Sequence, residues 1–143
     1  MIESKPTGEV KVRVKLFNAG DEILVRRGLL KPDQVRTYDA DAMVDTGAVR
    51  CVVPSHVREE LGLALAGERV AEYADGRHET VGLTEAIRFR VLDRDVVEDA
   101  LVLGDEVLIG QTLLEKADLL VDCVSNRLVP NPDHPDQPVT KIK

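Results

Sequence analysis

Ala42-Met43-Val44-Asp45-Thr46-Gly47-Ala48 is the stretch whose reading decides the fold. Upstream of it the chain alternates. Tyr38, Ala40, Ala42 and Val44 share one face, and Thr37, Asp39, Asp41, Met43 and Asp45 share the other. A period of two over residues 35–45 predicts a strand. That strand delivers one carboxylate, Asp45, at its end, on a turn made by Thr46 and Gly47. Asp and Gly are turn formers in their own right, because an Asp side chain bonds its own backbone two residues on. A plain turn is therefore the first alternative to a functional carboxylate. The tripeptide occurs once in 143 residues.

Working outward, the same alternation recurs. Val10, Val12, Val14 and Leu16 alternate with Lys11, Arg13 and Lys15, which predicts a half-buried strand with a basic outer face. Asn18 to Asp21 reads as a turn, and residues 21–29 as a short helix opening on Asp21-Glu22 and closing on Arg26-Arg27-Gly28. Lys31-Pro32-Asp33 reads as a break. Cys51-Val52-Val53 is a short apolar strand, and Pro54 to Leu61 a helix stopped by Gly62. Val70 to Val81 reads as a polar hairpin with its tip at Asp75-Gly76, projecting from the body. Ile87, Phe89 and Val91 form a further strand, turned by Asp93-Arg94, and Val96-Val97 with Ala100 to Leu103 continue the sheet. Val107-Leu108-Ile109-Gly110 is an apolar strand running into a helix over Gln111 to Ala117. Two strands at 119–121 and 127–129 flank a turn at Ser125-Asn126. The organisation expected is a lead-in over residues 1–9, one domain over 10–130, and an extended or mobile tail over 131–143. Pro132, Pro135 and Pro138 punctuate that tail.

Composition narrows the function classes. The chain is 43% hydrophobic but only 3% aromatic, so its core is aliphatic. A net charge of −7 with interspersed signs argues against a nucleic-acid partner, which calls for a basic patch. No apolar run approaches the roughly 20 residues that span a bilayer, and the first residues have no apolar signal region. A cytoplasmic protein without a membrane partner is the expectation. Cys51 and Cys123 stand far apart without a C-x-x-C, as two small hydrophobes rather than a disulfide framework.

The residues from Ala42 to Ala48, with Cys51-Val52-Val53-Pro54, the hairpin at Asp75-Gly76 and Val107 to Gly110 followed by Leu113-Leu114, resemble the retropepsin-like aspartic proteases. The resemblance covers residues 10–130. It is strongest to the single-domain bacterial group, whose N-terminal pattern is similar to Glu9-Val10-Lys11-Val12 and the segment Asp21 to Leu30. It implies an all-β domain with short helices, a retropepsin-like closed barrel. It implies that Asp45 is the catalytic aspartate, and that the Thr46 hydroxyl ties two active-site loops together across a dimer axis. Gly47 would let backbone and substrate approach closely. The hairpin would be a flap, with Ala48, Tyr73, Ala74, Asp75, Gly76 and Ile109 contacting a peptide. This flap departs from the Gly-rich viral pattern, since it is polar and carries one Gly. Tyr73 reads equally as a substrate contact or as a residue packing the flap itself.

Two carboxylates are needed for such chemistry, one ionised while the other holds a proton. One Asp45 per chain is half of that, so a homodimer acting on a peptide or protein is implied, without metal or organic cofactor. The first alternative is a catalytically silent peptide-binding or dimerisation module of the same fold. The second is an unrelated β-domain with a chance tripeptide.

Other candidates carry less. His56, His78 and His134 have no ligand-spaced neighbours for a metal site. Ser55 beside His56 does not read as a nucleophile pair, because helix neighbours point apart, and Ser55 is expected to cap its helix. Asp39 and Asp41 read as a solvated face, Asp21 and Glu22 as a helix start, and Asp122 as structural.

Overall fold

The computed structural model describes residues 9–142, so the expected lead-in lies outside the described residues except for Glu9. The alternating segment Val10–Asn18 forms β1, and Thr37–Val44 forms β2. They pair antiparallel from Val10 opposite Val44 to Phe17 opposite Thr37. Val10, Val14, Leu16, Ala40, Ala42 and Val44 are buried on the shared inner face. The chain continues through β3 (Val52–Val53), β4 (Leu65–Glu72), β5 (His78–Thr84), β6 (Ile87–Val91), β7 (Arg94–Glu98), β8 (Leu101–Val102) and β9 (Leu108–Ile109). These nine strands form one mixed sheet in the order β4-β5-β8-β3-β9-β2-β1-β6-β7. A second sheet pairs β10 (Leu119–Asp122) with β11 (Arg127–Pro130). Three α-helices lie among the described residues: α1 (Ala19–Arg26), α2 (Ser55–Leu61) and α3 (Gln111–Ala117).

The large sheet curls into a half-barrel and does not close. The closed form of the barrel expected from the resemblance is not confirmed by this sheet. Among the described residues its two edges, β4 and β7, each lack a partner on one side. Glu68, Arg69 and Glu72 on β4 and Asp95 on β7 keep those edges charged, as unpaired edges in water require. Between the curled sheet and the helices lies one aliphatic core. Its fully buried members include Leu16, Leu61, Ile87, Phe89, Ile109 and Leu113.

Several local expectations are corrected. Asn18 is not in a turn. It ends β1 and caps α1, its Oδ1 accepting the Asp21 N–H at 3.0 Å while its Nδ2 donates to the Leu61 carbonyl at 2.8 Å. The cap starts the helix two residues early, and the chain leaves it through Gly28 at φ 74°. Lys31-Pro32-Asp33 is less a break than a single 3₁₀ turn over Pro32–Gln34. Ser55 does not cap α2. Pro54 takes the cap position without a side-chain bond, and Gly62 in the left-handed region closes the helix. The turn between β6 and β7 is made by Leu92 and Asp93, both at positive φ, so Arg94 is the first residue of β7. The tail is not free. Asp118 accepts from Asn131 Nδ2 and the Val139 N–H, both at 3.0 Å, and lies 2.6 Å from His134 Nδ1. The buried Arg94 guanidinium donates to the carbonyls of Ala117, Asp118 and His134.

Asp21 is more than a helix-start acid. It is buried, and Arg36 donates to it from Nε and Nη2, both at 2.9 Å, and from its backbone N–H at 3.0 Å. The Arg36 side-chain bonds hold the Asp21 carboxyl below its usual range, outweighing the opposing effect of burial. A carboxyl depressed by folding stabilises the fold above its unfolded pKa, and that stabilisation is lost as pH falls through the lower folded value. Asp21→Asn is therefore expected to cost about 2 kcal/mol at pH 7. That is the lower part of the range for bonds to charged groups, because Arg36 is half exposed. The gap between wild type and variant should close as pH drops below about 4. Urea unfolding at pH 7 and pH 3 checks this, and a pH-independent gap would contradict it.

Candidate active site

Asp45 follows directly on β2, in register with the parallel strand β9, where Val44 lies opposite Ile109. The Asp45 N–H donates to the Ile109 carbonyl at 2.9 Å, so the pairing runs one residue past the strand and fixes the backbone at the carboxylate. The turn follows at once, with the Ala48 N–H reaching back to the Asp45 carbonyl at 3.1 Å. Within that turn the Gly47 N–H donates to Asp45 Oδ1 at 3.0 Å. The carboxylate is thus oriented by its own loop and half-buried, with Thr46 and Gly47 exposed beside it.

The loop is held from behind by α3. The N–H groups of Gln111 and Thr112 donate to the carbonyls of Ala48 and Val49 at 2.8 and 3.0 Å. These are free donors of a helix's first turn, spent on the loop instead of on water. Gly110 makes the approach possible. A Cβ on it would lie 2.5 Å from the carbonyl carbon and oxygen of Arg50 and 3.0 Å from the Ala48 oxygen. Its φ of −94° is ordinary, so space rather than dihedral freedom demands glycine here.

The expected site residues divide into two groups. Asp45, Thr46, Gly47 and Ala48 form one loop on β2, β9 and α3. Tyr73, Ala74, Asp75 and Gly76 form the hairpin turn, with the Gly76 N–H donating to the Tyr73 carbonyl at 2.8 Å and Gly76 at φ 89°. Among the described residues no hydrogen bond joins the two groups. The hairpin is longer than expected, since β4 begins at Leu65, and most of its residues are exposed. Tyr73 packs within the hairpin: the Arg77 guanidinium sits 4.5 Å from its ring centroid and its hydroxyl donates to Glu79. Ile109 stands apart from both groups. It is completely buried in the core and lines no surface of the single chain; its contribution to the site is the carbonyl that holds Asp45.

A group that the sequence reading missed lies behind the loop. Glu98, at the end of β7, places its Oε1 3.5 Å from the Cys51 sulfur and 3.1 Å from the Thr112 hydroxyl. The neighbouring Asp99 pairs with Arg50 at 2.6 Å. The signal was present in the alternation, since Arg94, Val96 and Glu98 share one face of β7 with an apolar residue between two charges.

The remaining candidates stay apart from Asp45. His56 lies edge-on to Tyr38, His78 beside Glu72, and His134 against Asp118. Asp41 pairs with Arg13 in solvent, and Asp122 braces its own turn through the N–H groups of Val124 and Ser125. Among the described residues no three His, Cys, Asp or Glu side chains gather as a metal cluster. Nor, among them, is any helix long and apolar enough to cross a membrane. A concavity of about 710 Å³ lies between α3 and the tail, lined in part by Leu114, Asp118, Asn131 and His134; Asp45 does not border it.

No protein-family model and no curated protein matches the chain. Solved structures do. The protease of simian foamy virus (mac) is 15% identical with a TM-score of 0.46, over 73% of this chain and 90% of that one. The foamy viral protease–reverse transcriptase, solved with an RNA/DNA hybrid, is 21% identical with a TM-score of 0.44. That likeness covers 53% of this chain and a tenth, 10%, of the viral one. The retroviral protease-like domain of Ddi1 from Leishmania major is 13% identical with a TM-score of 0.52, over 99% of this chain and 95% of that one. The likeness to the Leishmania domain, which runs through both chains almost end to end, shows the fold: all-β with short helices, and retropepsin-like.

Proposed function

We propose that this protein is an aspartic-type endopeptidase of the single-domain bacterial kind, acting in the cytoplasm as a homodimer. The observation that carries the reading is the placement of Asp45. One carboxylate per chain is oriented by Gly47 N–H at the end of β2 and left half-exposed. In a symmetric dimer, two copies of this loop meet with Asp45 near the axis and Thr46 bonding across it. Like charges that close cannot both ionise, so the pair shares one proton. The ionised Asp45 takes a proton from a water held between the two, and the water oxygen attacks the peptide carbonyl. The protonated Asp45 gives its proton to the carbonyl oxygen, forming a gem-diol; on collapse the C–N bond breaks, the proton taken from water passes to the leaving nitrogen, and a gem-diol hydroxyl returns a proton to the other Asp45. The hairpin at 70–81, with Tyr73 to Gly76 at its turn, closes over the extended peptide, which binds through strand-like backbone hydrogen bonds. Specificity then rests with side chains around Ala48 and the hairpin, since Ile109 is out of reach.

A peptide-library digest tests the activity, and dilution tests the assembly. Specific activity is expected to fall as the chain is diluted, following the dimer fraction, and Thr46→Ala is expected to shift that fall to about tenfold higher concentration, or roughly 1.4 kcal/mol. Concentration-independent activity would contradict the half-site reading. The silent peptide-binding module draws support from one observation, the occupied Tyr73 in a polar hairpin. Peptide capture without any cleaved product in the same digest would favour it.

A further inference from the structure

Glu98 carries a charge into the interior. It is a carboxylate whose side chain is only 8% exposed, on the strand at the far edge of the sheet from the hairpin. In sheet order β7 is separated from β2 by β1 and β6, yet the end of β7 meets α3 at Thr112 and the end of the Asp45 loop at Cys51. There Glu98 Oε1 accepts from the Thr112 hydroxyl at 3.1 Å and from the Cys51 thiol at 3.5 Å. Its Oε2 is buried without a well-directed hydrogen bond, 3.0 Å from Lys116 Nζ. Lys116 is itself half exposed, so the ion pair only partly offsets the cost of burying the charge.

The partners of Glu98 explain its position. Cys51 closes the Asp45 loop, and its sulfur accepts the Gly110 N–H at 3.5 Å while its thiol faces Glu98. Burial pushes that thiol up to about 12, so it stays protonated and serves as a donor. Thr112 sits in the first turn of α3, and its N–H already holds the Val49 carbonyl. One oxygen of Glu98 therefore joins both anchors of the loop: the residue that ends it and the helix turn that backs it. Asp99 adds a parallel tie to Arg50. The ring runs from β7 to Cys51, through Gly110 to α3, and through Thr112 back to β7.

Resting on the protease reading above, we infer that Glu98 is a positioning residue for Asp45, setting the catalytic loop through Cys51 and Thr112 without touching substrate. Such a residue acts on the placement of reacting groups, where a displacement of about 1 Å costs about 100-fold in rate. It leaves substrate affinity largely alone. A merely structural residue would change how much protein folds and nothing else.

The experiment separates these. Glu98→Ala, Glu98→Gln, Thr112→Val and wild type are assayed on a library-derived peptide, with rates expressed per active site titrated by a tight-binding inhibitor. Amide exchange at Gly47, Ala48 and Cys51 is measured on the same proteins. For Glu98→Ala, kcat per titrated site should fall at least about tenfold with KM within about twofold, and exchange at the loop amides should accelerate. Glu98→Gln keeps an acceptor for Thr112 and should recover most of kcat, while Thr112→Val should reproduce part of the loss. Unchanged kcat per titrated site in Glu98→Ala overturns the inference while leaving the protease reading intact. So does a loss of rate with loop exchange as slow as in wild type. Wild type that cleaves nothing overturns the protease reading, and the positioning role of Glu98 with it, whatever the exchange data show.

Discussion

Asp45→Asn is expected to lower peptide cleavage by at least about 1,000-fold while the protein folds as before. The size of the loss follows from the role. Asparagine is nearly the same shape but neither takes a proton from water nor donates one as an acid, and general acid–base catalysis contributes about 100- to 10,000-fold. The innocuous effect on folding follows from the surroundings. Asp45 is half-exposed, its one side-chain bond is accepted from the Gly47 N–H, and an asparagine carbonyl oxygen accepts that bond equally well. Thermal midpoints should agree within about 2 °C, which corresponds to less than about 1 kcal/mol in a domain of this size. Mixing adds a sharper measurement. With random pairing of equal amounts of wild type and variant, activity should drop to about a quarter of that of the same total amount of wild type, because only homodimers of the intact chain cut. Half would remain if each chain worked alone. Wild-type cleavage by Asp45→Asn removes this residue from the chemistry.

Gly110→Ala is expected to damage folding and turnover together. The added methyl meets the Arg50 carbonyl carbon and oxygen at 2.5 Å, and these are backbone atoms that cannot rotate aside. The surrounding backbone is pinned: Ala48 by Gln111, Val49 by Thr112, and the Cys51 carbonyl by the Leu101 N–H at 3.0 Å. Either α3 withdraws and loses its bonds to the loop, or the loop moves and carries Asp45 with it. Overpacking of this kind costs about 3 kcal/mol, or roughly 10 °C in thermal midpoint. Of the protein that still folds, turnover should fall by about 100-fold from misplacement alone. Gly67→Ala is the control. No atom lies within 4 Å of a Cβ there, and a change within about 0.5 kcal/mol is expected. A Gly110→Ala variant as stable and active as wild type would show that α3 does not press against the loop.

Much of this arrangement was legible from the chain. Period-two alternation located β1, β2 and β6, and with them the inward face on which Ala42, Val44 and Phe89 lie. It also put Asp45 at a strand end. Gly62 marked the end of α2, and Asp75-Gly76 the hairpin turn, because both depend on local backbone geometry. What escaped was set by residues far apart in sequence. Asn18 looks like a turn residue until Leu61 is known to stand opposite its amide. Arg94 looks like a turn cation until the carbonyls at the end of α3 and in the tail are brought to it, and without them the tail looks loose. Ile109 looked like a pocket residue because a pattern of apolar side chains does not say which side of a strand is covered. The alternation of β7 placed Glu98 on the inner face, but its partners, 47 and 14 residues away, are not written there.

The two cysteines divide the chain's thiol chemistry unequally. Cys123 is exposed in the turn between β10 and β11, whereas the Cys51 sulfur is enclosed behind the Asp45 loop and held protonated. Alkylating reagents act on accessible thiolates. The native sequence is thus already a single-label protein: a maleimide spin label or fluorophore goes onto Cys123 without any engineered substitution. In the dimer proposed above, two such probes would report a distance across its axis, and a slow second modification would report the rate at which the chain breathes open around Cys51.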